Sequence, residues 1–260
     1  MKTTGIFTIF MLLVAFAHAQ NESLISKDFF NEVKEVKVTP PEFTGIGSNA
    51  ANTLNANNSS LINMYLKENL TYPEDAKECN FQGTEVVQFT VNPNGKLTNF
   101  KVVNSICPLI DEEMIKILQT TDGMWKPGLN NGKSVEMEKE VSMIFFIANN
   151  QYDSAPEIFR DYASRFFSRG SKLLLNKNKP KKALNNFNKA MIYMPYDQAL
   201  LFARGMAKYS LDDKVGAEED WERLNRLAEN GYVDSNLELI TENYQHMNGY
   251  QEFKTISGRK

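Results

Sequence analysis

The feature that most constrains this chain is a predicted pair of strands joined by a tight turn. Residues 87–91 alternate apolar and polar side chains, which is the pattern of a strand with one buried face. Asn94 and Gly95 come next and favour the positive φ angles that a tight hairpin turn requires. A second apolar run follows over residues 97–103. The sequence therefore predicts an antiparallel hairpin.

The segments around the hairpin predict the rest of a small domain over residues 60–149. Apolar residues at helical spacing predict helices on both sides of the hairpin, and Pro73 suits the first turn of a short one. A later apolar run predicts a third strand. The expected fold class is α+β, a three-stranded antiparallel sheet with two or three helices packed on it. The predicted bounds are 61–70, 73–77 and 109–118 for the helices and 136–147 for the third strand.

The second half of the chain predicts an all-α domain over residues 155–247, built from a repeated pair of helices. Three positions recur at a spacing of 34 residues, which is typical of helix pairs in which small residues face an aromatic one. Gly170 and Gly205 mark the first helix of each pair at a spacing one residue longer, which a longer turn at residues 176–179 would explain. The repeated residues are Ala183, Phe187 and Ala190, then Ala217, Trp221 and Leu224, and Pro195 closes the first pair.

Two repeats are few for an independently stable helical array, because each repeat buries its apolar face only against a neighbour. A capping helix is therefore predicted over residues 233–244, and residues 248–260 are predicted to be a tail. Packing against the preceding domain is a second expected source of stability.

The N-terminus predicts export from the cytoplasm. Lys2, an apolar run over residues 5–16 and the small-x-small end at residues 17–19 are typical of a cleaved secretory signal. An uncleaved membrane anchor is the alternative. Residues 20–59 contain few periodic apolar positions and are predicted to be a flexible tether.

Composition argues against nucleic-acid binding and gives no support for catalysis. The formal charge is −3 at pH 7, so no basic field would attract nucleic acid. After removal of residues 1–19 the remaining histidine is His246, and no Cys-x-x-Cys, His-Glu-x-x-His or Walker-type loop occurs. The sequence therefore predicts no catalytic residue, no metal and no cofactor.

The chain has two cysteines, Cys79 and Cys107. If Val91 faces Lys96 across the turn, both cysteines lie just past the far end of the hairpin, within reach of each other. The compartment beyond a signal peptide is oxidising. A Cys79–Cys107 disulfide is therefore predicted, and two free thiols are the alternative.

Short motifs surround the hairpin in a characteristic order. Tyr72-Pro73-x-x-Ala76 precedes it, and Trp125-Lys126-Pro127-Gly128 followed by Gly132-Lys133 lies between the long helix and the third strand. This order resembles the C-terminal domain of TonB energy transducers, in the form common among Bacteroidetes-type bacteria. The helix pairs resemble tetratricopeptide repeats. The residues that carry the first resemblance are Tyr72, Pro73, Ala76, Gly83, Gly95, Trp125, Pro127 and Gly132.

The resemblance implies a partner-binding site on the last strand. In that family the domain binds the TonB box, a periplasmic segment of outer-membrane receptors, which adds as a strand beside the domain's last strand. The alternatives are that this strand belongs to the core or is covered by the helical repeats. For Trp125, core packing and partner contact are likewise both open. The implied edge residues are Val141, Met143, Ile144, Phe145 and Ile147.

The expected function is that of a periplasmic, non-catalytic binding protein with a helical partner-binding domain. Its expected partners are outer-membrane TonB-dependent receptors or other envelope proteins, with contact to the membrane only through them or through an uncleaved N-terminus. One alternative is a membrane-anchored energy transducer, and another is an envelope adaptor that acts through the repeats. Homodimerisation is a further use of an open strand edge.

Overall fold

The computed structural model of the protein describes residues 37–45, 58–148, 153–229, 231 and 237–258. The predicted signal peptide and most of the predicted tether lie outside these residues. The strands within them are β1 (Val38–Thr39), β2 (Glu42–Phe43), β3 (Gly83–Val91), β4 (Leu97–Asn104), β5 (Trp125–Lys126), β6 (Gly128–Asn130), β7 (Lys133–Val135) and β8 (Met137–Phe145). The helices are α1 (Asn58–Asn69), α2 (Glu74–Glu78), α3 (Pro108–Gln119), α4 (Ala155–Ser171), α5 (Pro180–Tyr193), α6 (Gln198–Tyr209), α7 (Lys214–Glu229), α8 (Leu237–Glu242) and α9 (Tyr250–Ser257), and a π-helix continues α4 over Lys172–Asn176.

The chain divides into two units. The smaller one contains residues up to 39 together with residues 129–134. In it β1 pairs with β6, and the backbone amide of Asn131 donates to the carbonyl of Lys37 at 2.9 Å. Asn131 and Gly132 have φ angles of 51° and 79°, so both take the left-handed conformation that the β6–β7 turn requires.

The larger unit contains the three-stranded antiparallel sheet that the sequence predicts, and its strand order is β4-β3-β8. Strand β3 lies in the centre, so most of its residues are buried on both faces. Val87, Phe89 and Val91 point to the face that α1 and α3 cover, where they form one apolar core with Met114 and Leu118. Burying these side chains is what holds the helices on the sheet.

The hairpin forms with a different register from the predicted one. Val91 pairs with Leu97 rather than with Lys96, and the ladder is shifted again at two irregular positions along β3. Of the two turn residues only Gly95 has a positive φ angle, 81°, and Asn99 takes a φ of 54° where β4 bulges. A bulge adds a residue to one strand, so pairing predicted from the turn fails beyond it.

A short part of the predicted tether is folded. Strand β2 pairs with β5, which places Phe43 opposite Trp125. The ring of Phe43 is buried, with its centroid 5.2 Å from that of Trp125 and 5.6 Å from that of Tyr65 in α1. The tether prediction is therefore wrong for residues 38–43, because a single buried aromatic side chain holds the second strand to the core.

The helical region contains two helix pairs, α4 with α5 and α6 with α7, that pack in the same way. A Cβ atom built on Gly170 would lie 2.6 Å from the ring of Phe187, and one built on Gly205 would lie 2.3 Å from the ring of Trp221. Such distances exclude any side chain, so in both pairs a glycine lets an aromatic ring reach the partner helix. The repeated residues Ala183, Phe187, Ala190, Ala217, Trp221 and Leu224 are all fully buried.

The extra residue in the first repeat lies in a helix and not in the turn. The turn between α4 and α5 spans residues 177–179, and the turn between α6 and α7 spans residues 210–213, so the first is the shorter one. The π-helix over Lys172–Asn176 holds the additional residue instead. A π-turn closes hydrogen bonds five residues apart and is the usual way that a helix takes up one inserted residue. The predicted longer turn is therefore wrong.

The C-terminal segment packs on the second helix pair. The predicted capping helix is present as α8 over Leu237–Glu242, so it ends two residues earlier than predicted. Residues 232–236 lie outside the described part of the chain. The predicted tail forms α9, whose Phe253 is buried with its ring 4.6 Å from that of Phe202 and 5.7 Å from that of Trp221. The tail prediction is therefore wrong over Tyr250–Ser257.

Candidate functional site

Strand β8 is an edge strand with a regular ladder. All nine of its residues pair one to one with β3, from Gly83 opposite Phe145 to Val91 opposite Met137. On its other side, no strand of the described residues pairs with it. We call this side the β8 free edge.

The two faces of β8 have different environments. Val141 is the partner of Val87, so it points into the core with the residues of the same parity. Val141 and Phe145 are buried, so these two predicted contact residues are unavailable to a partner's side chains, and Met143 is partly buried on the same face. Ile144 points to the opposite face and is 46% exposed. We call this opposite face the outer face of the sheet.

The direction of the backbone groups can be traced from two side-chain hydrogen bonds. The side-chain amide of Asn104 donates to the backbone carbonyl of Thr84 at 2.8 Å, so this carbonyl points towards β4. The N–H and C=O groups of successive residues point in alternate directions along a strand. The N–H and C=O groups of the neighbouring Gly83 therefore point towards β8. Phe145 of β8 is opposite Gly83, so the odd-numbered residues of β8 face β3. Two residues beyond Phe145, the N–H of Ile147 points the same way and donates to the side chain of Gln82. The N–H groups of the even-numbered residues of β8 consequently point to the free edge.

The opposite edge of the sheet, on β4, is a poorer surface for another strand. Two register shifts interrupt its pairing with β3, and Asn99 has a positive φ angle within it. Bulges twist an edge and misalign its backbone groups, which is how many proteins prevent strand addition. The sheet therefore has one edge suited to strand addition, and it is the β8 free edge.

The helical region contacts the outer face of the sheet at Thr84 and Glu140, and it also contacts Gly83 at the start of β3. The hydroxyl of Thr84 donates to the carbonyl of Tyr193 at 3.0 Å, and a Cβ on Gly83 would lie 2.6 Å from the carbonyl of Ile192. Arg223 of α7 forms two hydrogen bonds with the carboxylate of Glu140 in β8, of 2.6 and 3.0 Å. These contacts hold the helices beside the β8 free edge. The contact with Ile192 also explains why residue 83 is a glycine, because a side chain there would collide with the helical region.

Aromatic rings continue the contact at the C-terminal end of β8. Phe146, directly after the strand, lies 5.7 Å from Phe159 of α4. Phe159 and Tyr162 each lie 5.3 Å from the ring of Tyr193. Burial raises the pKa of the Tyr193 hydroxyl, and the neighbouring Tyr162 raises it further. Phe146 thus packs against α4 just beyond the end of β8, and Phe159 of α4 in turn contacts Tyr193 of α5.

Two charged residues lie on the covered face of the sheet. Lys139 points to the side of α1, and burial lowers the pKa of its ammonium group. Glu85 of β3 is fully buried and accepts a 2.9 Å hydrogen bond from the backbone of Ile106. Burial raises its pKa to about 8, and the negative charge of Asp111 adds to the shift. Sequence reasoning missed Glu85, although its parity with Val87 is the signal that places an acid on the buried face.

The family motif residues mainly hold the sheet domain together. The ring of Tyr72 packs 5.1 Å from that of Phe145, and its hydroxyl donates to the carbonyl of Phe81. Pro73 caps α2, and Ala76 is fully buried. A Cβ on Gly95 would lie 2.5 Å from the backbone carbonyl of Trp125, so a side chain at position 95 would collide with β5. Pro127 joins β5 to β6.

Of the two roles open for Trp125, the structure favours core packing. Its side chain is buried, and its indole N–H donates to the hydroxyl of Thr121 at 3.0 Å. The ring also lies 5.2 Å from that of Phe89.

The predicted disulfide is absent, because Cys79 and Cys107 are both free thiols. Cys79 is exposed at the end of α2, whereas Cys107 is buried where α3 begins. The prediction depended on an unshifted hairpin register, which places the cysteines at the same end of a regular ladder. The bulged register removes that geometric basis.

Within the described ranges, no helix combines the length and the apolar character needed to cross a membrane. In the same residues, no three His, Cys, Asp or Glu side chains are grouped so that they could hold a metal ion.

Comparison with known proteins gives one family. A search of curated proteins found no match. Two NMR solution structures of the Helicobacter pylori TonB C-terminal domain are similar to this chain, each at 18% sequence identity. The first has a TM-score of 0.30, and the match covers 41% of this chain and 98% of that domain. The second has a TM-score of 0.28, and the match covers 36% of this chain and 100% of that domain. The profile of the family described as the Gram-negative bacterial TonB protein C-terminal matches residues 68–147. Residues 68–147 of this chain are therefore a domain of the TonB C-terminal family.

Proposed function

We propose that this protein binds an extended segment of an outer-membrane receptor, or of another envelope protein, by strand addition at the β8 free edge. The observation that carries the proposal is the edge itself, nine residues in regular pairing with β3 and without a strand partner on the other side among the described residues. Membership of the TonB C-terminal family supports it, since these domains are non-catalytic modules that interact with such receptors.

Main-chain hydrogen bonds supply much of the binding energy in this mode, and side chains supply the specificity. The even-numbered residues of β8 offer their N–H and C=O groups at the free edge, as traced above. The odd-numbered side chains stay in the core, so the receptor segment does not have to displace any of them. Binding therefore needs no rearrangement of the sheet.

We further propose that the helical region is a tetratricopeptide-like module that supports this edge. The matched contacts of Gly170 with Phe187 and of Gly205 with Trp221 favour the assignment. The ion pair between Arg223 and Glu140 favours a fixed position of the module beside β8. The second candidate function, an envelope adaptor that acts through the helices, is favoured by the exposure of Tyr162 on α4.

For location we propose the periplasm. Residues 1–19 would direct export across the inner membrane and then be cleaved. A protein that retains these residues as an anchor would instead fit the energy-transducer alternative. An intact mass of the cellular protein that begins at Gln20 excludes the anchor, and a mass that includes Met1 excludes cleavage.

The experiment that tests the proposal compares Ser142→Pro with Ser142→Ala. Ser142 is even-numbered, so proline there removes a free-edge donor and leaves the ladder to β3 intact. Alanine removes the hydroxyl but keeps the N–H. We expect Ser142→Pro to lose at least roughly tenfold in affinity for synthetic receptor TonB-box peptides, because one ladder hydrogen bond and the adjoining register are lost.

Ser142→Ala should bind within about twofold of the unchanged protein. Thermal unfolding of both variants controls for the fold of the sheet. Equal peptide affinity of the two variants, with both folded, would contradict strand addition at this edge and would favour the adaptor function.

A further inference from the structure

The outer face of β8 gives the free edge a side-chain pattern. An added strand pairs residue for residue with β8, so every second side chain of the added strand lies beside an outer-face residue. Those residues are Glu138, Glu140, Ser142 and Ile144. What each of them can still contact decides which segments fit.

The acidic end of this row has one carboxylate available. Glu140 is held by Arg223 through two hydrogen bonds, so its charge is balanced within the chain. Glu138 is exposed and accepts a 2.7 Å hydrogen bond from the uncharged amide of Gln88. Among the described residues, no lysine or arginine forms an ion pair with Glu138. A segment bound here therefore meets a carboxylate that has no ion-pair partner among the described residues.

The other end of the row is apolar, and the helical module lies next to it. Ile144 is 46% exposed. Its cross-strand partner Thr84 is hydrogen-bonded to the carbonyl of Tyr193, whose ring is 5.3 Å from that of Tyr162. Tyr162 is itself 41% exposed. The helical module thus contacts the strand next to Ile144, and it carries an exposed aromatic side chain of its own at Tyr162.

We propose, on the basis of the strand addition proposed above, that the bound segment carries a basic residue beside Glu138 and an apolar residue beside Ile144. These positions lie six residues apart and on one face, whichever direction the added strand runs. The basic residue balances the charge of Glu138, and the apolar residue covers exposed surface of Ile144. The partner is a basic–apolar segment of a different protein.

A second copy of β8 does not meet this description. Antiparallel self-pairing about a two-fold axis sets outer-face residues against outer-face residues, and none of the four is basic. Glu138 would then lie opposite another carboxylate or an uncharged side chain. The pattern therefore favours a foreign segment over homodimerisation through this edge.

The test uses the full chain and short fluorescent peptides of threonine and serine. One peptide has lysine and leucine six positions apart, a second has glutamate in place of the lysine, and a third has lysine and leucine five positions apart, on opposite faces. Each is made in both orders, because the strand direction is free. Fluorescence anisotropy gives the affinities at low and high salt.

We expect the first peptide to bind roughly fivefold more tightly than the second or the third, from one exposed ion pair and one partly buried apolar side chain. The difference between lysine and glutamate should shrink at high salt, since exposed charges are screened. Glu138→Lys should reverse the charge preference, and Ile144→Thr should remove the preference for leucine only. Lys67→Ala, on α1 at the other face of the sheet, should leave both preferences unchanged.

The outcomes separate this inference from the function on which it rests. In one outcome the peptides bind and Ser142→Pro lowers their affinity, but Glu138→Lys leaves the charge preference unchanged. That outcome overturns the basic–apolar pattern, while strand addition stands. If Ser142→Pro has no effect on any bound peptide, the proposed edge itself is overturned. Thermal unfolding of each variant shows that the sheet is intact.

Discussion

Replacing Trp221 with alanine should lower the free energy of unfolding of the helical module by about 3–5 kcal/mol. The side chain of Trp221 is fully buried, and its ring fills the gap that Gly205 leaves between α6 and α7. Its indole N–H also donates to the carbonyl of Phe202. Alanine would leave a large cavity at the centre of the second helix pair and would remove the indole hydrogen bond to Phe202.

Chemical denaturation followed by circular dichroism measures this loss. The protein has two tryptophans, so Trp125 is the single one left in the variant, and its fluorescence follows the sheet domain separately. Val215→Ala is the matched control, since Val215 lies in the same helix and is 69% exposed; it should change stability by less than about 0.5 kcal/mol. A loss below roughly 1 kcal/mol for Trp221→Ala would contradict the packing of α7 on α6 described here.

The second large effect concerns Glu85, whose burial makes the stability of the protein depend on pH. Its pKa in the folded protein is about 8, against an ordinary value of 4.5. Between these values the folded state holds a proton that the unfolded state has released. The contribution of Glu85 to the free energy of unfolding is therefore fully present below pH 4.5. It falls as the pH rises and is lost above about pH 8.

Glu85→Gln should remove this dependence, because the amide stays neutral and still accepts from the N–H of Ile106. At pH 5 the variant and the unchanged protein should have similar stability. Near pH 8.5 the variant should be more stable by roughly 2–4 kcal/mol, the free energy of keeping a buried carboxyl neutral. Denaturation curves across this pH range measure the difference.

Glu112→Gln is the control for Glu85, because Glu112 is an exposed glutamate on α3 next to Asp111. It should leave the pH dependence of stability as it is. A constant difference between Glu85→Gln and the unchanged protein at all pH values would contradict a raised pKa for Glu85.

The sheet domain could be predicted because its sequence signals are periodic. Alternation at residues 87–91 identifies the central strand, and helical spacing identifies α3. Register could not be predicted in the same way, since the shifts in β4 depend on single residues such as Asn99 taking a positive φ angle. The disulfide prediction failed for this reason.

Short elements with no period were missed. Strand β2 has two residues, too few to show alternation, and only the burial of Phe43 reveals that it belongs to the core. Helix α9 is similar, because its eight residues include one buried ring, that of Phe253, and this burial alone shows that the helix belongs to the core. Contacts between such single side chains and a distant core leave no local pattern in the sequence.

The helix pairs were predicted well where the repeat itself was the signal. The glycine–aromatic contacts occur at the predicted residues in both pairs. The π-helix that holds the extra residue could not be predicted, because a one-residue insertion in a helix and in a turn give the same spacing.

The candidate edge was predicted as a segment but not as a surface. Resemblance identifies residues 141–147, yet only the fold shows that Val141 points inwards and Ile144 outwards. The contact between Glu140 and Arg223 joins residues 83 positions apart, so no local pattern could have indicated it. This contact is what leaves Glu138 as the available charge.

Amide hydrogen exchange of the full chain, with and without a bound TonB-box peptide, tests the central claim most directly. Strand addition at the β8 free edge predicts that the amides of Glu138, Glu140, Ser142 and Ile144 become protected, while those on the β4 edge exchange as before. Protection confined to the helices of residues 155–257, or to β4, would contradict it.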